Sequence, residues 1–368
     1  MNDHHNAPSQ ALPPARLTRL APAESEWHAH TIRELPSNGA GVDYVRHHAL
    51  TSRQTDTSWN VVEKSLRKPL LYRSREARFY RHYAMLTTCR RIAYPALLGV
   101  TETPRRSSIY SEYIAGKRPV REKLLHDAAG GIAELEAVSA RYIAAGTASA
   151  RLDFWLMDFF RWPYLRHTRL NFQRFLVNLE IPEIASETRE RLLPPLKALG
   201  PRLKARLRAA KETPRCVCHL DYAAKNMLVD GDRLYLLDWS EVKIGRIGFD
   251  GADLLAKLFV HTPLSRFDDV RRRFEQDYDQ ALAEDYGAHH LVATAAFNRQ
   301  TLFTLLSLWR CLQQQTIRTH VEAGTLDVLV ARLDYLLDAC TRGASAVEND
   351  SATETQSSAP IAVTALSK

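Results

Sequence analysis

The sequence predicts an α+β fold, with a small β-rich lobe near the N-terminus followed by a larger and mostly helical lobe. Short alternating apolar runs, typical of strands, occur at residues 31–35, 42–45, 60–64 and 109–114. In the C-terminal half the apolar residues recur at helical spacing instead, as they do from Leu302 to Trp309. The chain has 368 residues, of which 45% are hydrophobic and 25% are charged, so it can bury a core in both lobes.

Composition divides the chain into four segments. Residues 1–24, with Asn, His, Pro and Ala, are expected to form a flexible leader. Residues 25–115 make up the predicted β-rich lobe, and residues 116–342 make up the helical lobe. Residues 343–368, rich in Ser, Ala and Thr, are expected to be a disordered tail.

Within the helical lobe, two short patterns, each with one aspartate, suggest where helices begin. Ser265 and Asp268 have the spacing of a capping box, which predicts a helix over residues 267–286. Asp253 stands before an apolar run, where it would cap a helix or brace a neighbouring loop.

Other features limit the class of protein. The chain has no run of about 18 apolar residues and no apolar core of a signal peptide, so neither a membrane helix nor secretion is predicted. Its five cysteines, an odd number, indicate reduced thiols, and we expect a cytoplasmic location. Cys216 and Cys218 would share one face of a strand, and we assign them to the core.

The formal net charge is +8, and nearly all of the excess lies between Arg189 and Arg215, where nine basic residues accompany two acids. One interpretation is a solvated helix face that buries Leu203 and Leu207 and keeps the charges in water. The other is an anion-binding surface for an acidic substrate or for peripheral contact with an anionic membrane. No recognition motif for nucleic acid accompanies the segment, so we expect no nucleic-acid partner.

The most informative pattern starts at His219. Asp221 is followed five positions later by Asn226, and Asp238 comes at the end of a later apolar run. A strand, a turn at residues 230–232 and a returning strand would bring Asp238 back beside Asn226. Kinases use such a set for a base, Asp221, and two magnesium ligands, Asn226 and Asp238. The alternative is an ordinary hairpin with polar ends, which accounts for one of these residues more easily than for all three.

These residues resemble the aminoglycoside phosphotransferase and choline kinase superfamily, whose fold is that of the protein kinases. The family's loop reads close to H-G-D-x-x-x-x-N and is followed by I-D-W/F and D-L-A segments. The matching residues here are His219, Asp221, Asn226, Asp238-Trp239 and Asp253-Leu254.

The chain also departs from the family's pattern. Leu220 replaces the usual glycine, and Ala224-Lys225 replaces the frequent Pro-Gly, which makes the loop similar to that of tyrosine kinases. However, Asp238-Trp239-Ser240 is not D-F-G and no A-P-E follows, so a small-molecule kinase is favoured over a protein kinase. Lys225, beside the base, would neutralise the moving phosphoryl group or would be a solvent-exposed lysine.

The resemblance implies an ATP-binding lobe upstream of this loop. Lys64, on the same strand face as Val62, would hold the α- and β-phosphates, with Glu76 as its partner. The alternatives are a solvated lysine at a strand edge and an acid in the first turn of a helix.

Two further nucleotide contacts are predicted in this lobe. Gly39 and Gly41 lie between two strands, where a glycine turn would approach the phosphates, although any hairpin needs such residues. Glu112 and Ile114 resemble the family's hinge, where backbone groups would bind the edge of adenine.

We therefore predict an ATP-dependent phosphotransferase that uses Mg²⁺ and an alcohol group of a small molecule as acceptor. The alternatives are a pseudokinase that binds nucleotide without catalysis and a protein kinase. The presumed acceptor segment at residues 120–215 is basic and aromatic, which disfavours polycationic aminoglycosides. A small cation such as choline stays open, because aromatic faces bind quaternary ammonium groups.

Overall fold

A computed structural model describes residues 27–36, 42–52, 58–67, 75–81, 88–119, 121–145, 158–161, 171–231 and 233–354. Its strands are β1 (Trp27–Leu35), β2 (Val42–Ser52), β3 (Ser58–Arg67), β4 (Ile92–Ala93), β5 (Leu97–Glu102), β6 (Arg106–Glu112), β7 (Arg215–Cys218), β8 (Met227–Asp230), β9 (Arg233–Leu236) and β10 (Lys243–Arg246). Its helices are α1 (Arg75–Arg81), α2 (Arg121–Ala144), α3 (Ser186–Lys211), α4 (Phe249–His261), α5 (Leu264–Gln280), α6 (His289–Cys311), α7 (Gln314–Glu322) and α8 (Leu326–Glu354). This order confirms the predicted two-lobed α+β class.

The N-terminal strands form an antiparallel sheet in the order β1-β2-β3-β6-β5. Along β3 the burial alternates, because successive side chains of a strand point to opposite faces. Val61 packs with Leu50 and Tyr110 in a small apolar core on one face. Val62 and Lys64 lie together on the other face, as predicted.

An acidic side chain is buried beside that apolar core. Glu63 is fully buried, and its carboxylate accepts hydrogen bonds from Tyr44 at 3.0 Å and Tyr110 at 3.3 Å. Its other oxygen lies 3.1 Å from Nε2 of His48. Three partners compensate for the cost of burying the carboxylate, which no sequence pattern indicated.

Two small sheets carry the loops around Asp221 and Asp238. Strand β7 pairs antiparallel with β10, and β9 pairs antiparallel with β8 and parallel with β4. The β8–β9 hairpin turns at Gly231, whose φ of 58° favours glycine. The predicted hairpin therefore forms, and the Leu237 amide donates a 2.8 Å hydrogen bond to the Asn226 carbonyl just beyond its end.

The middle of α2 lies very close to the residues before and within β4. A Cβ atom at Gly131 would lie 2.6 Å from Cγ1 of Ile92, and one at Gly130 would lie 2.7 Å from the Arg91 guanidinium. The missing side chain at Gly131 therefore leaves space for the buried Ile92, and that at Gly130 leaves space for the flexible end of Arg91.

The chain divides into two compact units. The described parts of the first unit come from Met1–Phe159, Pro214–Leu254 and Arg272–Ala296, and they hold every sheet described above. The second unit comes from Phe160–Thr213, Leu255–Arg271 and Phe297–Lys368, and among its described residues helices predominate. No helix in the described part of the chain is long and apolar enough to cross a membrane.

Two boundaries in the helical region differ from those expected. Helix α5 begins at Leu264, so Ser265 lies inside it and the predicted capping box is wrong. Asp268 instead accepts a 2.6 Å hydrogen bond from the Tyr335 hydroxyl. Helix α8 continues to Glu354, past residue 343, where composition placed the start of the tail.

The basic segment lies largely on α3. Leu203 is buried, whereas Arg202, Lys204 and Arg208 are exposed. Arg206 differs from these, because its Nε donates a 3.0 Å hydrogen bond to Thr301 and its guanidinium lies 4.5 Å from the centroid of the Phe297 ring.

Candidate active site

The structure brings Lys64, Glu76 and Asp238 together. Nζ of Lys64 donates to Oε2 of Glu76 at 2.7 Å and to Oδ1 of Asp238 at 2.5 Å. Lys64 comes from β3, Glu76 from the first turn of α1, and Asp238 from the residues that follow β9. Glu76 also accepts a 3.3 Å hydrogen bond from the Trp239 amide, so one glutamate holds both neighbours.

Asp238 is ionised and constrained. Burial opposes its ionisation, but the Lys64 ammonium outweighs burial and lowers the pKa of Asp238 to about 2. Its backbone is left-handed, with φ of 59°, a conformation that aspartate tolerates better than most residues. The side chain remains 30% exposed, so a ligand can still reach the carboxylate.

A second cluster forms around Asp221. Nδ2 of Asn226 donates to the Asp221 carbonyl at 2.9 Å and to Oδ2 of its carboxylate at 2.8 Å. Because both bonds use the amide nitrogen, Oδ1 of Asn226 is directed away from Asp221. Nζ of Lys225 lies 3.3 Å from the same Oδ2 atom, with its side chain 61% exposed. Asp221 thus has an asparagine and a lysine on one carboxylate oxygen.

His219 joins the two clusters. The Asp221 amide donates to Nδ1 of His219 at 3.2 Å, so Nδ1 is the acceptor nitrogen. Nε2 then carries the proton and donates to the Leu237 carbonyl at 2.9 Å, next to Asp238. The ring is fully buried and meets Trp239 edge to face. His219 therefore holds the Asp221 loop and the Asp238 segment in a fixed relation.

A buried acid, Asp250, supports the turn before Asp221. Its two carboxylate oxygens accept the amide hydrogens of His219 at 2.9 Å and Leu220 at 2.7 Å. Leu220 has a left-handed backbone, with φ of 57°, at the position where the family usually has glycine. The turn is costly for leucine, and the two hydrogen bonds that Asp250 accepts from the backbone amides offset that cost.

The prediction that Asp253 caps its helix is wrong, and the alternative that it braces the loop stays a prediction. Helix α4 begins at Phe249, which puts Asp250 in the first turn and Asp253 about one turn inside. The sequence clue to Asp250 was an acid two positions after a glycine, Gly248, whose φ is 91°.

A second buried acid lies behind Asp250. Glu136 of α2 accepts hydrogen bonds from the amides of Gly248 at 2.6 Å and Asp250 at 3.0 Å, and from the Tyr278 hydroxyl at 2.5 Å. Burial, together with the charge of Glu136, raises the pKa of Asp250 well above its usual range. Sequence analysis did not find Glu136, since nothing in a helical sequence marks an inward-facing acid as satisfied.

The other residues predicted to contact the nucleotide lie in or after β6 or outside the described residues. Glu112 ends β6, and its amide donates to the Ala96 carbonyl at 2.9 Å. Ile114 is buried in the connection that follows. Gly39 and Gly41 lie outside the described residues.

Cys216 and Cys218 are fully buried, as predicted for core residues, with their Sγ atoms 3.5 Å apart. Their ligand atoms and one from Glu136 lie within 4.8 Å of one another. Burial raises the pKa of Cys216 to about 11 and that of Cys218 well above its usual value, so both thiols keep their protons.

Comparison with known proteins connects this geometry to a family. The sequence profile of the phosphotransferase enzyme family (APH) matches residues 53–292, a span that holds both clusters. The chain belongs to this family. It is a phosphotransferase of the kinase type, which confirms the class predicted from the loop at His219. A search of curated proteins found no match.

Solved structures resemble this phosphotransferase in fold. The amicoumacin kinase hAmiN, in complex with AMP-PNP, Ca²⁺ and Ami, has a TM-score of 0.51 at 12% identity, over 82% of this chain and 88% of that one. A choline kinase from Cryptosporidium parvum Iowa II has a TM-score of 0.48 at 13% identity, over 85% and 89%. The spectinomycin phosphotransferase APH(9)-Ia, with ADP and spectinomycin, has 0.42 at 11% identity, over 85% and 93%. At 12% identity the likeness to the amicoumacin kinase concerns the fold alone.

Proposed function

We propose that this phosphotransferase transfers the γ-phosphate of ATP, with Mg²⁺, to a hydroxyl group of a small molecule. The observation that carries the proposal is the contact of Lys64 with both Glu76 and Asp238, residues 12 and 174 positions away. In kinases a lysine held by a glutamate binds the α- and β-phosphates, and a neighbouring aspartate holds the metal. We infer the same division of roles here.

Asp221 is the proposed base. Its carboxylate would accept a hydrogen bond from the acceptor hydroxyl and take the proton as the oxygen attacks the γ-phosphorus. Asn226, bonded to Oδ2 of the carboxylate, fixes the orientation of Asp221. Lys225, 3.3 Å from the carboxylate, supplies a positive charge near the group in transfer.

The oxygen donors suit magnesium. Asp238 provides a carboxylate of low pKa, and Asn226 provides an amide oxygen directed away from Asp221. Mg²⁺ prefers such hard oxygen ligands and takes its remaining ligands from water and phosphate. When bound, the ion would neutralise phosphate charge during transfer.

Binding of Mg-ATP tests the first half of the proposal. We expect Mg-ATP at about 100 times its Kd to stabilise the folded protein by roughly 2.7 kcal/mol, read as a rise in the midpoint of thermal unfolding. Asp238→Ala should abolish the magnesium-dependent part of this rise. The control is Asp230→Ala, an exposed acid at the end of β8, which should respond like the wild type.

Turnover tests the second half. A panel of hydroxyl compounds, including amino alcohols and sugars, would be screened by ADP release. With the best acceptor, Asp221→Asn should lower kcat by orders of magnitude, because the proton would have no base, and should leave the Kd for Mg-ATP unchanged. Full activity in this variant would remove Asp221 from the mechanism, and ATP binding without turnover of any acceptor would favour a pseudokinase.

The charge of the acceptor is a finer proposal. The exposed cations of α3 support an anionic acceptor or peripheral contact with an anionic membrane. Changing Arg202, Lys204 and Arg208 together to glutamine should raise the KM of an anionic acceptor at low salt, or release the protein from anionic vesicles. Arg206 is left intact, because its contacts with Thr301 and Phe297 give it a packing role. The five free cysteines support a cytoplasmic location for the reaction.

A further inference from the structure

A cleft outside the proposed active site lies on the first compact unit. Its volume is about 450 Å³, within the range of sites that take small ligands. It is formed by the residues that precede β4, by α2 and by the π-helical turn Ala281–Asp285 with the residue after it. The lining residues are Thr88, Arg90, Arg91, Glu134, Val138, Arg141, Asp285 and Tyr286.

The acids of this cleft already have partners. Glu134 is 1% exposed, and its carboxylate accepts the amide hydrogens of Arg90 at 2.6 Å, Arg91 at 2.7 Å and Ile92 at 3.1 Å. Asp285 forms an ion pair with the Arg91 guanidinium, which lies across Gly130 of α2. The negative charges in the cleft are therefore committed to holding its wall in place.

Two cations in the cleft remain available. The side chains of Arg90 and Arg141 are exposed, and within the described residues neither has a hydrogen-bonding or ion-pairing partner. They come from different walls, since Arg90 precedes β4 and Arg141 lies in the last turn of α2. Two exposed arginines on different walls of one cleft, with no acid paired to either among the described residues, can attract negative charge.

We propose that this cleft binds an oxyanion, such as a phosphoryl group carried by a small molecule. A guanidinium presents paired N–H donors that match two oxygens of a phosphate or carboxylate, which makes arginine the preferred residue for such groups. The site is separate from Lys64, Asp221 and Asp238, because none of these residues lines the cleft. Arg91 is followed directly by strand β4, and β4 pairs with β9. Asp238 follows the end of β9. A molecule bound in the cleft would therefore contact a segment that is hydrogen-bonded to the active-site hairpin.

The test uses inorganic pyrophosphate as the probe, titrated calorimetrically into the full chain at constant ionic strength and without divalent metal. Lys64→Met serves as the background, because it removes the cation expected to attract phosphate at the nucleotide site. We expect saturable binding in this background. Adding Arg90→Ala and Arg141→Ala should weaken it at least 10-fold, as expected from the loss of two charge-assisted hydrogen-bonding groups.

Arg105→Ala is the matched control, since Arg105 is an exposed arginine of the same unit in the β5–β6 connection. It should leave pyrophosphate affinity unchanged. An equal loss with Arg105→Ala would mean non-specific attraction and would overturn the proposal. The proposal would also be overturned if the Arg90→Ala/Arg141→Ala variant kept its affinity, or if the Lys64→Met protein did not bind pyrophosphate at millimolar concentration. A parallel titration with a dicarboxylate distinguishes a phosphate site from a general oxyanion site, and both results keep the two arginines as the receptor.

Discussion

At the scale of single residues, the position of Asp221 depends on Asp250, whose two oxygens hold consecutive amides of the turn before it. Asparagine at position 250 would keep the size of the side chain, but its NH2 group would face one of those amides. Two donors cannot form a hydrogen bond with each other. A buried amide left without its acceptor costs about 1–3 kcal/mol, and if that energy is lost from the positioning of Asp221 the rate falls by about 10- to 100-fold. We expect Asp250→Asn to lower kcat by this factor and to leave the Kd for Mg-ATP unchanged.

Asp253→Asn provides the comparison, because Asp253 is also buried and lies about one helical turn further along α4, whereas the two amides donate to Asp250. Steady-state kinetics and calorimetric ATP titration on both variants separate positioning from folding. Equal losses of kcat in the two variants, or a loss of ATP affinity in Asp250→Asn, would contradict the positioning role.

The residue scale also marks where sequence reasoning succeeded and failed. Lys64, Glu76 and Asp238 could be selected because each has a distinctive neighbourhood, and the structure places them in contact. Asp250, whose carboxylate accepts the two amides of the turn, was missed, and Asp253 was considered as a brace instead. Asp250 and Asp253 both stand near the start of an apolar helix, and only the boundary at Phe249 shows that Asp250 is the acid in its first turn.

At the scale of elements, α2 contains two consecutive glycines in its interior, Gly130 and Gly131. Alanine normally stabilises an exposed helix by about 1 kcal/mol relative to glycine. At Gly131 the new Cβ would lie 2.6 Å from Cγ1 of Ile92, a buried side chain of β4 that has little room to move. We expect Gly131→Ala to lower the free energy of unfolding by about 1–3 kcal/mol, measured by urea denaturation.

Gly200→Ala in α3 is the contrasting variant. There the new Cβ would meet Nε2 of Gln173, the end of an exposed and flexible side chain that can move aside. This variant should be neutral or stabilising. If alanine destabilised the protein equally at positions 131 and 200, the close contact with a buried side chain would not explain the need for glycine at position 131.

Strands and helices were predictable to different degrees. Residues 31–35, 42–45, 60–64 and 109–114 all lie in or at the ends of strands, because alternation with period two directly reflects a half-buried sheet. The start of α5 was wrong, since the Ser265–Asp268 spacing fits a cap only if the preceding residue is not already helical. Asp268 is used in a contact with Tyr335, which lies 67 positions away and leaves no local trace.

At the scale of the whole molecule, the site depends on pairings between distant segments. Lys64 and Asp238 are 174 residues apart, and only the family's order of motifs suggested that they meet. The buried network of Glu63, His48 and Tyr44 had no such guide, because its members look like surface residues in sequence. Burial of charge is decided by three-dimensional partners, which a single sequence does not specify.

The Lys64–Asp238 ion pair also predicts how the whole molecule responds to acid. The pKa of Asp238 falls from 3.8 to about 2 on folding, so the unfolded chain takes up its proton first as the pH decreases. The ion pair's contribution to the free energy of unfolding, about 2 kcal/mol, is complete well above pH 4 and is lost as the pH falls towards 2, with about 1 kcal/mol gone by pH 3.

Urea unfolding from pH 7 to pH 3 should show this loss in the wild type and in Asp230→Asn, which changes an exposed acid. Asp238→Asn should start lower at pH 7 and lose about 1 kcal/mol less over the same range, since it has no carboxylate to protonate. Parallel pH profiles for all three proteins would mean that Lys64 gives Asp238 no net stabilisation in the folded state.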